Sequence, residues 1–296
     1  MIIRDKNLYL RASIINSIRE FFNSRDFLEV ETPLRIPANA PEEYIDPFAT
    51  ENLYLQTSPE ICMKRLLCRG HKNIYQISRC WRKGERGRRH LPEFTMLEWY
   101  RADSDYLDLM NDCDELLAHV ATKCGTHTGE QIIKVGKAER ITVQEAFQRY
   151  SKKEMFESVQ DHSFDECIVT EIEPALPHNR PVILMDYPAP MASLARLKTI
   201  DNSVAERFEL YLGGLELANG FSELNDPAEQ KMRFTETNLH RKAGGLSPLP
   251  LPEPFLKELA SMPVSAGIAL GVDRLVMLLS NAEKIDDVVT FTPEEL

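Results

Sequence analysis

A strongly cationic segment joins two apolar stretches of the chain. Residues 79–90 hold six Lys or Arg and one Glu, a net charge of +5 in twelve residues. Arginine guanidinium groups bind phosphate oxygens through two parallel hydrogen bonds, so the segment indicates a polyphosphate site. A solvated basic turn is the alternative. The carboxylate-bearing strand that follows favours the site, because it places negative charge beside the cationic loop.

That strand, predicted over residues 92–101, carries different side chains on its two faces. Alternate residues of a strand point to opposite sides, so Leu97 and Trp99 share one face. The opposite face carries Phe94, Met96, Glu98 and Tyr100. A face with Phe, Glu and Tyr suits a sheet that lines a pocket. Periodicity alone favours the alternative, an ordinary half-exposed sheet with Glu98 in water.

Two carboxylates fall close together in a hairpin predicted around residues 213–214. A two-residue turn there pairs Glu209 with Ala218 and places Glu209 and Glu216 diagonally on one face. Two such carboxylates repel each other unless a cation neutralises them, and Mg²⁺ with phosphate oxygens is a natural bridge. Pairing of one carboxylate with Arg207, which lies on the same face, is the alternative.

Two further polar residues need special local geometry to reach a common site. Asn219 has the opposite parity to Glu216, so the strand must bulge near residues 218–220, which Gly220 permits. Arg274 falls in the first turn of a helix that Asp273 can cap, and the helix dipole disfavours a cation there. Arg274 is therefore expected to have an anionic or stacking partner. A pair with Asp273 or a Glu is the simple alternative.

The elements that must position these residues follow from apolar periodicity and turn signals. A helix over residues 7–24 places Ile14, Ile18, Phe21 and Phe22 on one face, and Ser58-Pro59-Glu60 resembles a helix start with Ser58 as N-cap. The remaining predicted helices cover residues 105–122, 142–150, 227–242 and 274–280. The predicted strands cover residues 27–33, 52–57, 73–82, 92–101, 182–187, 206–212, 215–221 and 266–272. Residues 125–180 otherwise show only weak periodicity. One α/β domain over residues 1–296 is the simplest organisation.

Composition excludes several functional classes. The formal net charge of −11 disfavours sequence-independent nucleic-acid binding, and 43% hydrophobic residues suit a large core. No apolar run approaches the ~20 residues of a membrane span, and no signal peptide is recognisable. Six Cys without a C-x-x-C pair indicate a reduced, cytoplasmic protein. The absence of H-E-x-x-H, Walker A and G-x-G-x-x-G patterns leaves zinc proteases, kinases and Rossmann dehydrogenases unsupported.

Taken together and in order, these segments resemble motifs 1, 2 and 3 of the class II aminoacyl-tRNA synthetases, at about residues 10–35, 73–101 and 266–280. The sequence is most similar to the lysyl-tRNA synthetase catalytic domain in three segments: TSPEICMKRL at 57–66, PEFTMLE at 92–98 and ELANGFSELND at 216–226. The resemblance implies an α+β fold with a mostly antiparallel, six- to seven-stranded sheet flanked by helices. Motif 1 starts within the first dozen residues, which leaves no room for the anticodon-binding OB domain. The chain in this respect resembles the elongation factor P lysine ligases.

The resemblance implies ATP-dependent activation of lysine as an adenylate and its transfer to a lysine side chain of elongation factor P. Arg82 would hold the α-phosphate and the substrate carboxylate, while Phe94 and Arg274 would sandwich the adenine. Arg82 and Arg274 are the implied catalytic residues, and Glu209 and Glu216 would hold Mg²⁺. The implied nucleotide-binding set is Arg82, Glu85, His90, Phe94, Glu209, Glu216 and Arg274. Gly84 occupies the position where the family commonly has a Glu that contacts adenine, so either Glu85 replaces it or the backbone alone contacts the base.

The lysine would lie between carboxylates. Glu60 would bind the α- or β-ammonium and Glu223 the ε-ammonium, at two separated points that match a dication. The full implied substrate set is Ser58, Glu60, Glu98, Tyr100, Asn219, Glu223 and Ala269. Ala269 stands where lysyl-tRNA synthetases usually have Gly, and its methyl group favours (R)-β-lysine.

The expected partners are elongation factor P as protein substrate and lysine or β-lysine as the small molecule. A homodimer through motif 1 is expected, with no membrane contact and no stable nucleic-acid binding. Two alternatives stay open: a truncated lysyl-tRNA synthetase paralogue that acts on tRNA, and a non-catalytic paralogue that binds lysine or ATP. The base that deprotonates the attacking amine is not identified from the sequence.

Overall fold

A computed structural model describes residues 3–124 and 136–296; of the weakly periodic stretch 125–180, residues 125–135 lie outside the described ranges. The helices are α1 (Ile3–Asn23), α2 (Glu60–Cys68), α3 (Tyr106–Cys124), α4 (Val143–Tyr150), α5 (Met155–Gln160), α6 (Phe164–Cys167), α7 (Pro227–Ala243), α8 (Glu253–Glu258) and α9 (Val272–Ser280). The strands are β1 (Leu28–Glu29), β2 (Arg35–Ile36), β3 (Ala49–Thr50), β4 (Leu53–Leu55), β5 (Asn73–Trp81), β6 (Glu93–Ala102), β7 (Glu139–Thr142), β8 (Val182–Pro188), β9 (Leu197–Lys198), β10 (Asp201–Leu212), β11 (Leu215–Ser222) and β12 (Ser265–Gly271).

One large, mixed sheet organises the described ranges. Its strand order is β1-β5-β6-β12-β11-β10-β8-β7, and β9 adds to β10. The pairs β1–β5 and β7–β8 are parallel and the others antiparallel. The mostly antiparallel α+β fold is therefore confirmed, with nine strands where six to seven were expected. The additional strands are short edge segments of two to four residues, too short to show a periodic pattern.

The long helices cover the back of this sheet. Ile14, Ile18 and Phe22 of α1 are fully buried, and the Phe22 ring stacks on Tyr75 of β5 with centroids 4.6 Å apart. Trp99 of β6 joins the same core, 5.3 Å from Phe22. The predicted division of β6 into two faces is confirmed, since Trp99 packs against the helices.

A second, smaller core lies beyond β8. Residues 136–180 contain β7, the capped helix α4 and short helical turns, and they bury Phe147, Phe164 and Ile172 against β8. The predicted helix over 142–150 is confirmed: Thr142 accepts a hydrogen bond from the Glu145 amide in a capping box. This layer supports the outer strands β8 and β10 behind the site.

A buried polar link joins the three predicted motifs. Arg11 of α1 pairs with Asp273 of α9, and its Nη2 donates to Thr95 Oγ1 of β6 at 2.7 Å. The Thr95 amide donates to Asp273 Oδ2 at 2.7 Å. Asp273 therefore does not cap α9, whose N-cap position is Gly271. Its carboxylate is used for a contact between elements, which outweighs a local cap.

No helix within the described ranges is both long and apolar enough to cross a bilayer.

Candidate active site

The open face of the sheet carries one row of polar residues across four strands. Glu209 of β10 pairs with Asn219 of β11, Asn219 with Ala269 of β12, and Ala269 with Glu98 of β6. Because directly paired residues point to the same side, the four side chains share one face. Ala269 is the smallest of the four, so the sheet forms a trough at β12.

A bulge in the hairpin makes this row possible. Gly213 and Gly214 have φ values of 64° and 72°, which fits the predicted two-residue turn. Tyr211 pairs with Glu216, but Glu209 pairs with Asn219, so the predicted Glu209–Ala218 pairing is wrong. Leu217 is the extra residue that forms a bulge in β11. A bulge in this strand was predicted, but it lies one residue before the predicted position at 218–220.

The two hairpin carboxylates are held by different cations. Arg207 Nη2 donates to Glu209 Oε1 at 2.7 Å, and the Tyr211 hydroxyl donates to Oε2 at 2.6 Å. The Arg207 alternative is therefore realised for Glu209. Burial and the neighbouring Glu209 charge raise the pKa of Glu216 to about 7, against the opposing effect of Arg274. A further cation beside the pair would lower the pKa of Glu216.

Arg274 has the anionic partner that its position in α9 demands. Its Nη1 donates to the Glu216 carbonyl oxygen at 2.7 Å and lies 3.4 Å from Glu216 Oε2. The alternative of a pair with Asp273 is wrong, because Asp273 is bound to Arg11. Arg274 Nη2 lies 2.5 Å from His90 Nε2, and desolvation together with the Arg274 charge lowers the pKa of His90.

Arg82 is a cation with spare binding capacity. Its Cζ lies 5.2 Å from the centre of the Phe94 ring, and Glu85 Oε1 is 3.9 Å from Nη1. The buried Nε has no hydrogen-bond partner within the described ranges. Gly84 has φ +81°, a conformation that a Glu at this position would adopt only with strain. The turn therefore explains why Gly stands at 84 and places Glu85 beside Arg82.

These residues line one open cleft of about 390 Å³. Of the predicted nucleotide-binding residues, the cleft brings together Arg82, Glu85, His90, Phe94, Glu209, Glu216 and Arg274. It also contains Asn219 and Ala269 from the predicted substrate set, and Glu42, Arg89 and Arg207, which were not in either set. No group of three His, Cys, Asp or Glu within residues 3–124 and 136–296 forms a complete metal site.

Beneath the cleft residues, a buried lysine joins two of the predicted substrate carboxylates. Lys64 Nζ lies 2.6 Å from Glu60 Oε1 and 2.5 Å from Glu223 Oε2, and its side chain is 1% exposed. The same ammonium lies 5.0 Å from the Phe221 ring centroid. Burial opposes the charge on Lys64, but the attraction of Glu223 and Glu60 outweighs it and raises the pKa of Lys64.

This arrangement corrects one expectation about the substrate site. Glu60 and Glu223 do not lie at two separated points, because a single ammonium bridges them. Two carboxylates close together are stable here since Lys64 supplies the balancing charge. The amino groups of a dicationic ligand therefore meet a pocket that already holds one internal cation.

Glu98 and Tyr100 form the other half of this pocket. The Tyr100 hydroxyl donates to Glu98 Oε2 at 2.9 Å, whereas Glu98 Oε1 is buried without a partner among the described residues. Glu98 is 1% exposed, so the alternative that placed it in water is wrong. Burial and the Glu60 charge raise its pKa well above the usual value. A Cβ on Gly267 would run into the Tyr100 ring and Glu223, so only glycine lets these two side chains pack directly against β12.

Ser58 has a local structural contact. Its Oγ accepts a 3.4 Å hydrogen bond from the Glu60 amide, and α2 begins at Glu60 with Pro59 at the N-cap position. The prediction of Ser58 as N-cap is wrong by one residue. Five of the seven predicted substrate residues are not among the residues that line the cleft: Ser58, Glu60, Glu98, Tyr100 and Glu223.

Two polar residues of the site were missed from the sequence. Lys64 follows Glu60 by four residues, a spacing that normally indicates an exposed helical ion pair. The spacing of apolar residues could have indicated that Lys64 is buried, because it lies on the same helical face as the buried Ile61 and Leu67. Glu42 lies in a segment without regular secondary structure, so no periodic pattern indicates which way its side chain points.

The arrangement combines two chemistries on one sheet face. Arg82, Arg89 and Arg274 present guanidinium groups to the cleft, where they can bind phosphate oxygens and stabilise charge that develops on them. The buried carboxylates can bind ammonium groups. The site thus suits a polyphosphate and an amino compound held side by side.

Sequence comparisons agree with this geometry. Residues 4–295 match the sequence model of the family described as tRNA synthetases class II (D, K and N). The chain is 41% identical over 319 aligned positions to the elongation factor P--(R)-β-lysine ligase of Edwardsiella ictaluri, covering 97% of this chain and 94% of the relative. It is 40% identical to the protein of the same name from Proteus mirabilis, with 96% and 94% covered. The chain therefore belongs to the class II tRNA synthetase family.

Proposed function

We propose that the protein is an ATP-dependent ligase that activates lysine, with (R)-β-lysine as the favoured form, and transfers it to a lysine side chain of elongation factor P. The relatives named for this activity align along nearly the whole chain. The observation that carries the proposal is the polar row on the sheet, which joins the cationic cleft to the buried carboxylate pocket.

In the activation step, the lysine carboxylate attacks the α-phosphorus of ATP and pyrophosphate leaves. Arg82 binds the carboxylate and the α-phosphate through its unpartnered Nε edge and stabilises the charge that develops between them. Phe94 and Arg274 bind the adenine from its two faces. His90, held beside Arg274, contacts the triphosphate. These groups act through position and charge, and no covalent enzyme intermediate is required.

Glu209 and Glu216 suit a magnesium ion. They present carboxylate oxygens on the trough face, and Mg²⁺ is usually held in proteins by one or two carboxylates with substrate phosphates completing its shell. Burial and the Glu209 charge raise the pKa of Glu216, and a bound cation would favour its ionised form. The ion, when bound, would screen the phosphate charges. Asn219, which accepts a 3.4 Å hydrogen bond from Arg207, holds the row between the two ends of the site.

The lysine is held by the pocket beneath the cleft. Glu60 and Glu223, which Lys64 bridges, form one anionic end of the pocket that receives an ammonium group of the lysine, with Tyr100 beside Glu223. Glu98 completes the pocket with its free Oε1. Ala269, in the row between Asn219 and Glu98, narrows the trough beside the reacting end and thereby favours the β-amino form. Ser58 supports the Glu60 backbone.

The whole reaction can be tested in two stages. ATP–pyrophosphate exchange is measured with α-lysine and with (R)-β-lysine, followed by transfer of labelled lysine to purified bacterial elongation factor P or to tRNA. We expect exchange with both, faster with (R)-β-lysine, and label on the protein alone. No exchange with either amino acid contradicts the ligase activity and favours a non-catalytic paralogue. Label on tRNA but never on protein favours a tRNA-charging enzyme.

The magnesium proposal predicts a specific defect for Glu209→Gln. The amide keeps the shape of the side chain but removes the carboxylate charge and one of the two acceptor oxygens, so exchange should fall by about 100-fold or more. Circular dichroism checks that the fold is retained, and a magnesium titration of the residual exchange measures metal affinity. A variant with unchanged magnesium dependence would contradict the assignment of Glu209.

We further propose that residues 1–296 act as one catalytic domain in the cytoplasm, as a homodimer through motif 1 and without stable nucleic-acid binding. Nine strands between Leu28 and Gly271 share one sheet, whereas β2, β4 and β3 form a separate small sheet, and the large sheet supports a single unit. All six cysteines are free, in keeping with a reducing compartment. The charge of −11 argues against a tRNA-binding surface.

A further inference from the structure

The transfer step needs a group to receive a proton, and none of the residues assigned so far supplies one. We propose that Glu42 is the general base that takes the proton from the acceptor lysine as its nitrogen attacks the adenylate. This inference rests on the proposed ligase function, and it concerns the second half-reaction only.

Glu42 is near both groups that are proposed to flank the reacting carbonyl. It lines the cleft together with Arg82, which is proposed to hold the lysine carboxylate and the α-phosphate. Its carboxylate also interacts electrostatically with Glu60, which is proposed to receive an ammonium group of the lysine. A nucleophile that reaches the carbonyl carbon from the open side of the cleft therefore passes Glu42.

Glu42 is the unengaged carboxylate of this region. Within the described ranges, no hydrogen bond or ion pair binds its side chain, whereas the neighbouring carboxylates are occupied. Lys64 binds Glu60 and Glu223, Arg207 binds Glu209, and Arg274 lies against Glu216. His90 is a poor alternative, because its Nε2 already faces the Arg274 guanidinium. Among the described carboxylates that line the cleft, the Glu42 side chain alone has neither a hydrogen bond nor an ion pair; Glu98, whose Oε1 also lacks a partner, does not line the cleft.

The segment that carries Glu42 is held in place from behind. Arg241 of α7 is fully buried, and its Nη1 donates to the carbonyl oxygens of Glu42 at 2.7 Å and Ile45 at 2.6 Å. Its Nη2 donates to Asp46 Oδ1 at 2.9 Å. The backbone of an irregular segment is thereby fixed at the cleft while the Glu42 side chain remains free.

The electrostatic surroundings suit a base near neutral pH. Burial raises the pKa of Glu42 to about 7, Arg82 and Arg207 lower it, and Glu60 and Glu85 raise it. Glu60 lies on α2, Arg82 and Glu85 in the segment after β5, and Arg207 on β10. The Arg241 guanidinium of α7, paired with Asp46, lies behind the Glu42 backbone. A base is most effective when its pKa lies close to the working pH.

The neutral acceptor amine forms the new C–N bond, and the bond between the carbonyl carbon and the AMP oxygen breaks, so AMP leaves with that electron pair. The nitrogen loses one proton to the Glu42 carboxylate. The products are the amide, AMP and protonated Glu42, which then releases its proton to water.

The pH dependence of single-turnover transfer tests this role. A lysine acceptor has a pKa of about 10.4, so its deprotonation alone gives a slope of about 1 in log rate against pH. Ionisation of Glu42 adds a second unit of slope below pH about 7. We expect a slope of about 2 that changes to about 1 near neutral pH. A wild-type profile without this break overturns the proposal, whatever becomes of the variants.

The variant Glu42→Gln gives the second test, with Glu43→Gln as the matched control in the same segment. Adenylate formation is followed on each protein by exchange and by trapping with hydroxylamine, a nucleophile that is neutral at pH 7 and needs no base. We expect the ratio of transfer to trapping to fall about 100-fold in Glu42→Gln, with loss of the break, and to be unchanged in Glu43→Gln. An unchanged ratio in Glu42→Gln overturns the base assignment and leaves the ligase function intact. Absence of exchange and trapping in the wild type overturns the ligase function itself.

Discussion

Lys64 is the residue that changes the physical description of the substrate pocket most. Its ammonium bridges Glu60 and Glu223 and balances one of their two charges, which reduces the repulsion between the two close carboxylates when no ligand is bound. Removing one partner of a buried ion pair leaves an uncompensated charge, which is more costly than losing an exposed pair. The pocket thus contains its own cation. The substrate ammonium groups bind to the carboxylate oxygens that Lys64 does not contact.

We therefore predict that Lys64→Met lowers the free energy of unfolding by about 3–5 kcal/mol at pH 8. The loss should shrink as the pH falls to about 5.5. Without Lys64, burial keeps the folded pKa of Glu223 above its unfolded value, so lower pH protonates it and favours the folded state. Urea unfolding at the two pH values measures both effects. Lys231→Met, which removes an exposed lysine paired with Glu253, is the control and should change stability by less than about 1 kcal/mol. Equal losses in the two variants would contradict the prediction.

Sequence reasoning at this scale identified residues by chemical type but not by their pairing. Glu98 and Tyr100 were placed correctly on the open face of β6, because strand alternation is geometric. Lys64 was missed because a Glu–Lys spacing of four usually marks a helix surface. Which partner a charge takes depends on elements far apart in the chain, as the pairing of Lys64 with Glu223 demonstrates.

At the scale of elements, helix α7 holds the irregular segment 42–46 in place through one side chain. Arg241 of α7 binds three backbone carbonyls, those of Glu42, Ile45 and Ser247, and is itself fully inaccessible to solvent. A buried carbonyl that loses its donor costs about 1–3 kcal/mol. Segment 42–46 therefore depends on this side chain for its position at the cleft.

We predict that Arg241→Met lowers the free energy of unfolding by about 3 kcal/mol and speeds backbone hydrogen exchange in residues 42–46. Transfer to the acceptor should decline with it, because Glu42 is no longer held in place. Exchange mass spectrometry and urea unfolding report the two effects. Lys242→Met removes the exposed neighbour and should alter neither. Protection of residues 42–46 that survives in Arg241→Met would show that other contacts hold the segment.

The elements themselves were largely predictable, and their irregularities were not. Strands β5, β6 and β12 and helices α1, α3, α4 and α7 follow from periodicity within a few residues. The bulge at Leu217 was expected nearer to Gly220, because glycine is a visible marker whereas a bulge can be set by packing. Leu217 is a buried apolar residue, so the core on the other face of the sheet contributes to where the register shifts.

At the scale of the whole molecule, motif 1 leaves apolar side chains uncovered. Tyr9 of α1 is 72% exposed, Leu28 of β1 is 51% exposed, and Leu34 is 43% exposed. β1 is also an edge strand of the large sheet. Apolar residues and an open strand edge in one region are typical of a surface that another copy covers.

The homodimer proposal therefore predicts a dimer by light scattering and a monomer for the double variant Leu28→Glu, Leu34→Glu. A charge buried in an apolar interface opposes association by several kcal/mol. Ile200→Glu, at an exposed position (89%) outside motif 1, is the control and should remain dimeric. A wild-type protein that is monomeric at micromolar concentration would contradict the proposal.

The position of β12 has a consequence for how the protein is made. This strand pairs with β6 on one side and β11 on the other, and Ala269 and Gly267 form the middle of the trough. The end of β6 at Ala102 precedes the start of β12 at Ser265 by 163 residues (265 − 102). At bacterial elongation rates the ribosome needs roughly 10–30 s for that distance. During this interval β12 is absent, so the β6 edge that it will pair with is uncovered. The site also lacks the strand that carries Gly267 and Ala269. A chain that stops before Ser265 therefore carries most of the side chains of the site but no place to bring them together.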